Sequence, residues 1–250
     1  MSNLSFLWYN VAMIVKSIFG KINSTLGRLS PARRIFLSFA LVILLGSLLL
    51  SLPFVQETSS QATYFDHLFT AVSMVCVTGL FTQSVASTYN IWGQLICMVL
   101  IQIGGLVLMP FLGIFYIQGK QKLSLRGRET ILESFSFEET QSLKDFLRSI
   151  FVTTFLVEGF GAFLLSFRFV PEFGLGRGIF TSIFVAVSAF CNAGFDNFGS
   201  TSLVAFQTDP LINLVIAGLI ITGGLGFMVW FDLATQLGKK KKRRLRFHTK

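Results

Sequence analysis

Charge is what this sequence has least of. Asp, Glu, Lys and Arg make up 13% of its 250 residues, while 52% are hydrophobic. A soluble domain carries about twice that charged share. Mean hydropathy is +0.68. Histidine occurs twice and cysteine three times, with no CxxC pair and no His beside a Cys. That excludes a zinc site or a disulfide framework, and neither histidine stands beside a Ser or Cys nucleophile. Buried packing is the expectation for Cys76, Cys97 and Cys191. No GxGxxG is present, so no nucleotide fingerprint lies on this chain. The sequence points away from an enzyme.

What is present is apolar length. Residues 35–54, 91–119 and 211–231 carry no charge, and 149–167 carries only Glu158. About 20 apolar residues cross a bilayer, so four transmembrane helices are expected in an all-α membrane protein. Phe occurs 29 times, which suits a lipid-facing surface. The N-terminal "FLWYNVAMIV" lacks a preceding basic region and a cleavage site, so an interfacial helix is expected there.

The net charge of +9 is informative by its placement. Five basic residues precede the first run, six lie between the second and third, and eight stand in "KKKKRRLRFHTK". Only Arg168 and Arg177 fall elsewhere. Basic residues stay inside, so both termini and the middle loop are expected in the cytoplasm. A nuclear signal or nucleic-acid patch is disfavoured beside a membrane span; anionic lipid is the compatible partner.

Two phrases repeat. "LFTAVSMVCVTGL" from Leu68 overlies "IFVAVSAFCNAGF" from Ile183 with six identities in thirteen at a constant offset of 115. The identities include Ser73/Ser188, Cys76/Cys191 and Gly79/Gly194. The preceding runs align at the same offset, and Gly104–Leu106 matches Gly223–Leu225 at 119. Ordered pairing of Ser, Cys and Gly marks a repeat rather than shared greasiness. Each repeat reads as span, short re-entrant helix, span, with two re-entrant segments entering from outside. The expected division is 1–34 cytoplasmic, 35–119 first repeat, 120–148 cytoplasmic loop, 149–237 second repeat, and 238–250 basic.

Irregular backbone at membrane depth survives only where protein buries it or water reaches it. Each phrase is therefore expected to be a short helix followed by an extended strand whose carbonyls can replace an ion's hydration shell. Gly79 and Gly194 suit positive φ, and Thr78 and Asn192 add side-chain oxygens. Two interfacial loops with ordinary glycine caps are the plainer alternative. Glu158, the lone acid in a run, pairs either with a polar group on the pathway or with a neighbour at a helix interface. Asp66 suits a helix cap, His67 an interfacial site, and Asp196 a loop acid or an attractor of cations. Ser73 and Ser188 stand near the same pathway. Pro110 is expected to kink the second span. Gly104, Gly105, Gly223 and Gly224 suit close helix packing.

These residues resemble the Trk/Ktr/HKT superfamily of potassium transporters, and most nearly its bacterial Ktr/Trk membrane subunits. "TAVSMVCVTGL" is similar to that family's first filter and "AVSAFCNAGFDNFG" to its second; "RETILESF" and the final "HTK" add to the likeness. The resemblance runs from Arg33 onward. It implies potassium uptake, sometimes sodium-stimulated, across the plasma membrane. It places K+ at the carbonyls of Cys76, Val77, Thr78 and Gly79, and of Cys191, Asn192, Ala193 and Gly194. Gly79 implies the potassium-permeable type. It implies a cytoplasmic regulatory ring that binds nucleotide, and no cofactor on this chain. The family carries four repeats around one pore and this chain carries two. A truncated longer gene is expected, with a second copy or a companion half as alternatives. A non-conducting assembly subunit and a sodium-coupled transporter of another solute are the competing functions.

Overall fold

A computed structural model describes residues 31–106 and 143–225, with Val229. The N-terminal segment, most of the basic loop with "RETILESF", Pro110 and the basic C-terminal segment lie outside the described residues. Among the described residues all regular structure is helical and no strand occurs. The helices are α1 (Pro31–Leu50), α2 (Tyr64–Val75), α3 (Val85–Thr88), α4 (Ile91–Gly105), α5 (Leu143–Phe173), α6 (Leu175–Phe190) and α7 (Pro210–Gly224). Short 3-10 turns cover Pro53–Val55 and Ser202–Phe206.

Local chemistry sets these bounds. The first apolar run was expected to continue to residue 54, but α1 stops at Leu50. Pro53 disfavours helical backbone at Leu52, which is extended at ψ 134°. Helix α2 begins at Tyr64, four residues before the expected start, because Thr63 and Asp66 form a capping box. Asn90 caps α4 by accepting from the N–H groups of Trp92 and Gly93 at 3.0 and 3.2 Å. Asp209 caps α7 in the same way, with Pro210 in the first turn. The Asp209 carboxylate also pairs with Arg168 at 2.7 Å, tying the end of α5 to the start of α7. The third run was expected over 149–167, yet α5 reaches Phe173 and tolerates Pro171 close to its end.

Arg148–Phe173, within α5, is the one helix among the described residues that is long and apolar enough to cross a membrane. The described parts of the other three expected spans are shorter apolar helices, and α4 and α7 both lead into undescribed residues. Helix α1 packs on α2 and α2 on α4; α5 packs on α6 and α6 on α7. The principal contact between the halves is α4 against α6. Their shared core holds Met74, Val75, Leu100 and Ile101 from the first half and Phe184 to Phe190 from the second.

The outer faces are apolar. On α5, Phe155, Leu156, Phe160 and Phe163 are 58–67% exposed while Thr154, Glu158 and Leu165 are buried. On α1, Leu41, Leu44, Leu45 and Leu48 are similarly open. Continuous apolar faces of this kind are a liability in water and match a lipid surface.

Asp66 has further duties at its cap. Its carboxylate accepts the Thr63 hydroxyl and N–H at 2.7 and 2.8 Å and the Thr82 hydroxyl at 2.7 Å. The Thr63 hydroxyl, then these other bonds, hold its carboxyl below the ordinary range. A lowered folded pKa contributes stability that is complete above the unfolded value and lost as pH falls through the folded one. Asp66→Asn should therefore lower Tm at neutral pH, and the gap to wild type should narrow in acid, measured by thermal unfolding in detergent.

Candidate functional site

Helices α2 and α6 end in the same turn. At the first, the Thr78 N–H donates to the Ser73 carbonyl at 2.9 Å and the Val77 N–H to the Met74 carbonyl at 3.3 Å. At the second, Ala193 donates to Ser188 at 2.8 Å and Asn192 to Ala189 at 3.1 Å. This is a Schellman closure, whose first residue past the cap is left-handed. Val77 has φ 55° and Asn192 φ 57°. Two residues on, Gly79 has φ 73° and Gly194 φ 71°, while Thr78 and Ala193 do not share the positive sign. An extended strand was expected here; the alternating sign of φ replaces it. Alternation directs successive N–H groups to one side of the chain and leaves carbonyls on the other.

The serines complete the turn. Ser73 Oγ accepts the Leu80 N–H at 2.9 Å, and Ser188 Oγ accepts the Phe195 N–H at 2.8 Å. Both side chains are 2% exposed. The N–H groups of Val77, Thr78 and Leu80, and of their counterparts, are thus spent on the helix behind them. Among the described residues no hydrogen bond reaches the carbonyls of Cys76, Val77, Thr78, Gly79, Cys191, Asn192, Ala193 or Gly194. The two tips touch: a Cβ on Gly79 would lie 3.0 Å from the Ala193 carbonyl oxygen, and one on Gly194 would lie 3.4 Å from the Gly79 Cα. They differ in side-chain bonds: Asn192 Nδ2 donates to the Phe190 and Ile220 carbonyls at 3.4 Å, which Val77 cannot do. Thr78 Oγ1 meets Ser73 Oγ at 2.8 Å, whereas the counterpart Ala193 has no hydroxyl.

The left-handed valine is unusual, because a branched Cβ meets the following carbonyl there. Val77→Asn would copy Asn192. It should stabilise the fold by about 1 kcal/mol, read as a rise in denaturation midpoint.

Supporting glycines recur too. A Cβ on Gly104 would lie 2.5 Å from the Val75 carbonyl, and one on Gly223 would collide with the Phe190 carbonyl. Val75 and Phe190 are themselves counterparts at the offset of 115. Each half therefore seats its last helix against the carbonyl that ends its short helix.

The other singled-out residues divide. Glu158 is 5% exposed and accepts the Gln102 Nε2–H at 2.9 Å. Cys191 Sγ approaches Glu158 Oε1 at 3.9 Å and Gln102 Oε1 at 4.0 Å. Asp196 accepts the Phe198 N–H at 2.9 Å and the Ser202 hydroxyl, so it braces the loop after the second tip. His67 is buried rather than interfacial: it is 2% exposed, with Nδ1 2.9 Å from the Tyr89 hydroxyl. Cys97 and Cys191 are buried as expected, but Cys76 is exposed, because its face of the first tip is uncovered. Gln102 and Gln94, which accepts the Asn197 Nδ2–H at 3.1 Å, were not anticipated. Their only signal was polarity within the uncharged 91–119 run.

A family model described as a cation transport protein, TrkH, matches residues 32–250. The chain belongs to the TrkH family. It is 42% identical over 223 residues to the potassium/sodium uptake protein NtpJ of Enterococcus hirae, covering 89% of this chain and 49% of the relative. It is 35% identical over 223 residues to the Ktr system potassium uptake protein B of Bacillus subtilis, with the same coverages. The counterpart of that protein in Vibrio alginolyticus is 38% identical over 201 residues, 80% of this chain and 44% of the relative. The chain thus spans about half the length of the curated relatives it matches.

Proposed function

We propose that this chain forms one side of a potassium-conducting pathway in the plasma membrane, as part of a Trk/Ktr-type membrane subunit. The carrying observation is the pair of touching tips in which the N–H groups of Val77, Thr78 and Leu80 and of their counterparts are bonded inward, while the tip carbonyls accept no hydrogen bond among the described residues. A dehydrated monovalent cation needs a cage of oxygens, and unspent carbonyls at membrane depth need such a ligand or water. The names of the relatives, potassium and potassium/sodium uptake proteins, support the cargo.

In this reading each unit is a span, a pore helix and a span. The carbonyls of residues 76–79 and 191–194 line the filter, with K+ as cargo. Helices α2 and α6 point their C-terminal, partly negative ends toward the tips, which favours a cation there. Two tips cover only part of an ion's surroundings. The rest comes from further units of the same kind, carried in the length the relatives have beyond this match or in a second copy. A cytoplasmic nucleotide-binding ring is the proposed regulator, and both termini lie on its side.

The test is growth and uptake. The complete assembly, expressed in cells without potassium uptake, should restore growth at low potassium and take up K+ faster than Na+. Normal membrane abundance without any cation uptake would defeat the reading.

A further inference from the structure

We propose that Glu158 is a positioning residue for the second tip, acting through Gln102 and Cys191, and that it sets how sharply the pathway distinguishes K+ from Na+. The inference rests on the function proposed above.

Three elements meet at this point. Gln102 lies on α4, Glu158 on α5, and Cys191 is the cap residue that opens the second tip. The Glu158 carboxylate accepts from the Gln102 amide and lies within reach of the Cys191 thiol. The Cys191 side chain is also packed directly on α4, because a Cβ on Gly105 would collide with the Cys191 Cβ and Sγ. The Cys191 side chain is thus held between the Glu158–Gln102 pair and the α4 backbone at Gly105. The unpaired carbonyls begin at Cys191 itself, and the next residue is the left-handed Asn192.

Packing alone does not demand this polar set. At the offset of 115 the counterpart of Glu158 is Ile43, and at 119 the counterpart of Gln102 is Ile221. The same helix geometry accepts isoleucine at both places. The counterpart thiol, Cys76, is exposed and has no hydrogen-bond partner among the described residues. Burying a carboxyl and an amide in an apolar interior is costly, and their bonds must be met together. The cost falls only where the two halves join, behind one tip. What it secures there is the position of Cys191 relative to the first half, and so the spacing of the two tips. Ion discrimination by carbonyls depends on that spacing and on its rigidity.

The experiment uses the native full-length protein in its membrane assembly and compares Glu158→Ile with Glu158→Gln. The isoleucine copies Ile43 and keeps the fold accessible. The glutamine still accepts from Gln102 and Cys191. Two readouts are taken at matched membrane abundance: the ratio of K+ to Na+ uptake, and maleimide labelling of each cysteine, resolved by peptide mass spectrometry. Removing a buried hydrogen-bond acceptor and leaving its donor unsatisfied corresponds to about a tenfold change, so Glu158→Ile should narrow the uptake ratio about tenfold. It should also raise labelling of Cys191 while leaving Cys97 protected. Glu158→Gln should keep both near wild type. An unchanged ratio and a protected Cys191 in Glu158→Ile would overturn the proposal, as would equal damage in Glu158→Gln. If the wild-type assembly carries no cation, the transport reading falls, and Cys191 labelling still decides the positioning role.

Discussion

Gly79→Ala should cut potassium uptake by at least about tenfold while the protein still reaches the membrane. Two effects add. The residue sits at φ 73°, where any L side chain meets the following carbonyl at a cost of about 1–2 kcal/mol. The new methyl also presses the Ala193 carbonyl oxygen at 3.0 Å, a backbone atom of the opposite tip that cannot rotate away. Relief comes only by separating the tips or by turning the Gly79 peptide, and either displaces carbonyls from the pathway. About 1.4 kcal/mol is tenfold, so strain of this size suffices. Gly79→Asp adds length and charge and should abolish uptake. Gly194→Ala should be milder, because its nearest neighbour lies at 3.4 Å. Initial rates of rubidium uptake at matched expression would rank the three.

The second large effect is expected in stability. Gly223→Ala should destabilise the protein by about 1–3 kcal/mol or more, the cost of overpacking a contact that cannot repack. The added methyl would collide with the Phe190 carbonyl. The neighbouring Gly224 supplies the control: a Cβ there meets nothing within 4 Å. Gly224→Ala should be neutral or slightly stabilising, since alanine favours helix over glycine by about 1 kcal/mol. The pair is read by thermal unfolding in detergent. Equal behaviour of the two variants would contradict the close seating of α7 on the end of α6.

Particular residues show why parts of this architecture were legible. Ser73 and Ser188 were paired by the offset of 115, and each accepts the N–H seven residues on, closing the same turn. Val75 as the last helical residue followed from the glycine and polar residues behind it. The glycine pairs suggested close packing, and Gly104 and Gly223 meet equivalent carbonyls. The left-handed Val77 was not legible, because propensity argues against a branched residue there and tertiary bonding overrides it. The bond from Gln102 to Glu158 joins positions 56 residues apart, and no local pattern encodes such a contact. His67 beside Asp66 looked interfacial; Tyr89, 22 residues away, supplies the partner that buries it. The exposure of Cys76 depends on what covers the first tip, which its own segment does not specify.

The central claim is that the carbonyls of residues 76–79 and 191–194 hold the transported ion. Rubidium, which scatters anomalously and resembles K+ in size, tests it in the complete assembly. Crystals grown in rubidium chloride should show anomalous density beside both tips, flanked by those carbonyl oxygens, and Gly79→Asp should lose it. Rubidium bound elsewhere, with none at the tips under conditions that saturate uptake, would contradict the account.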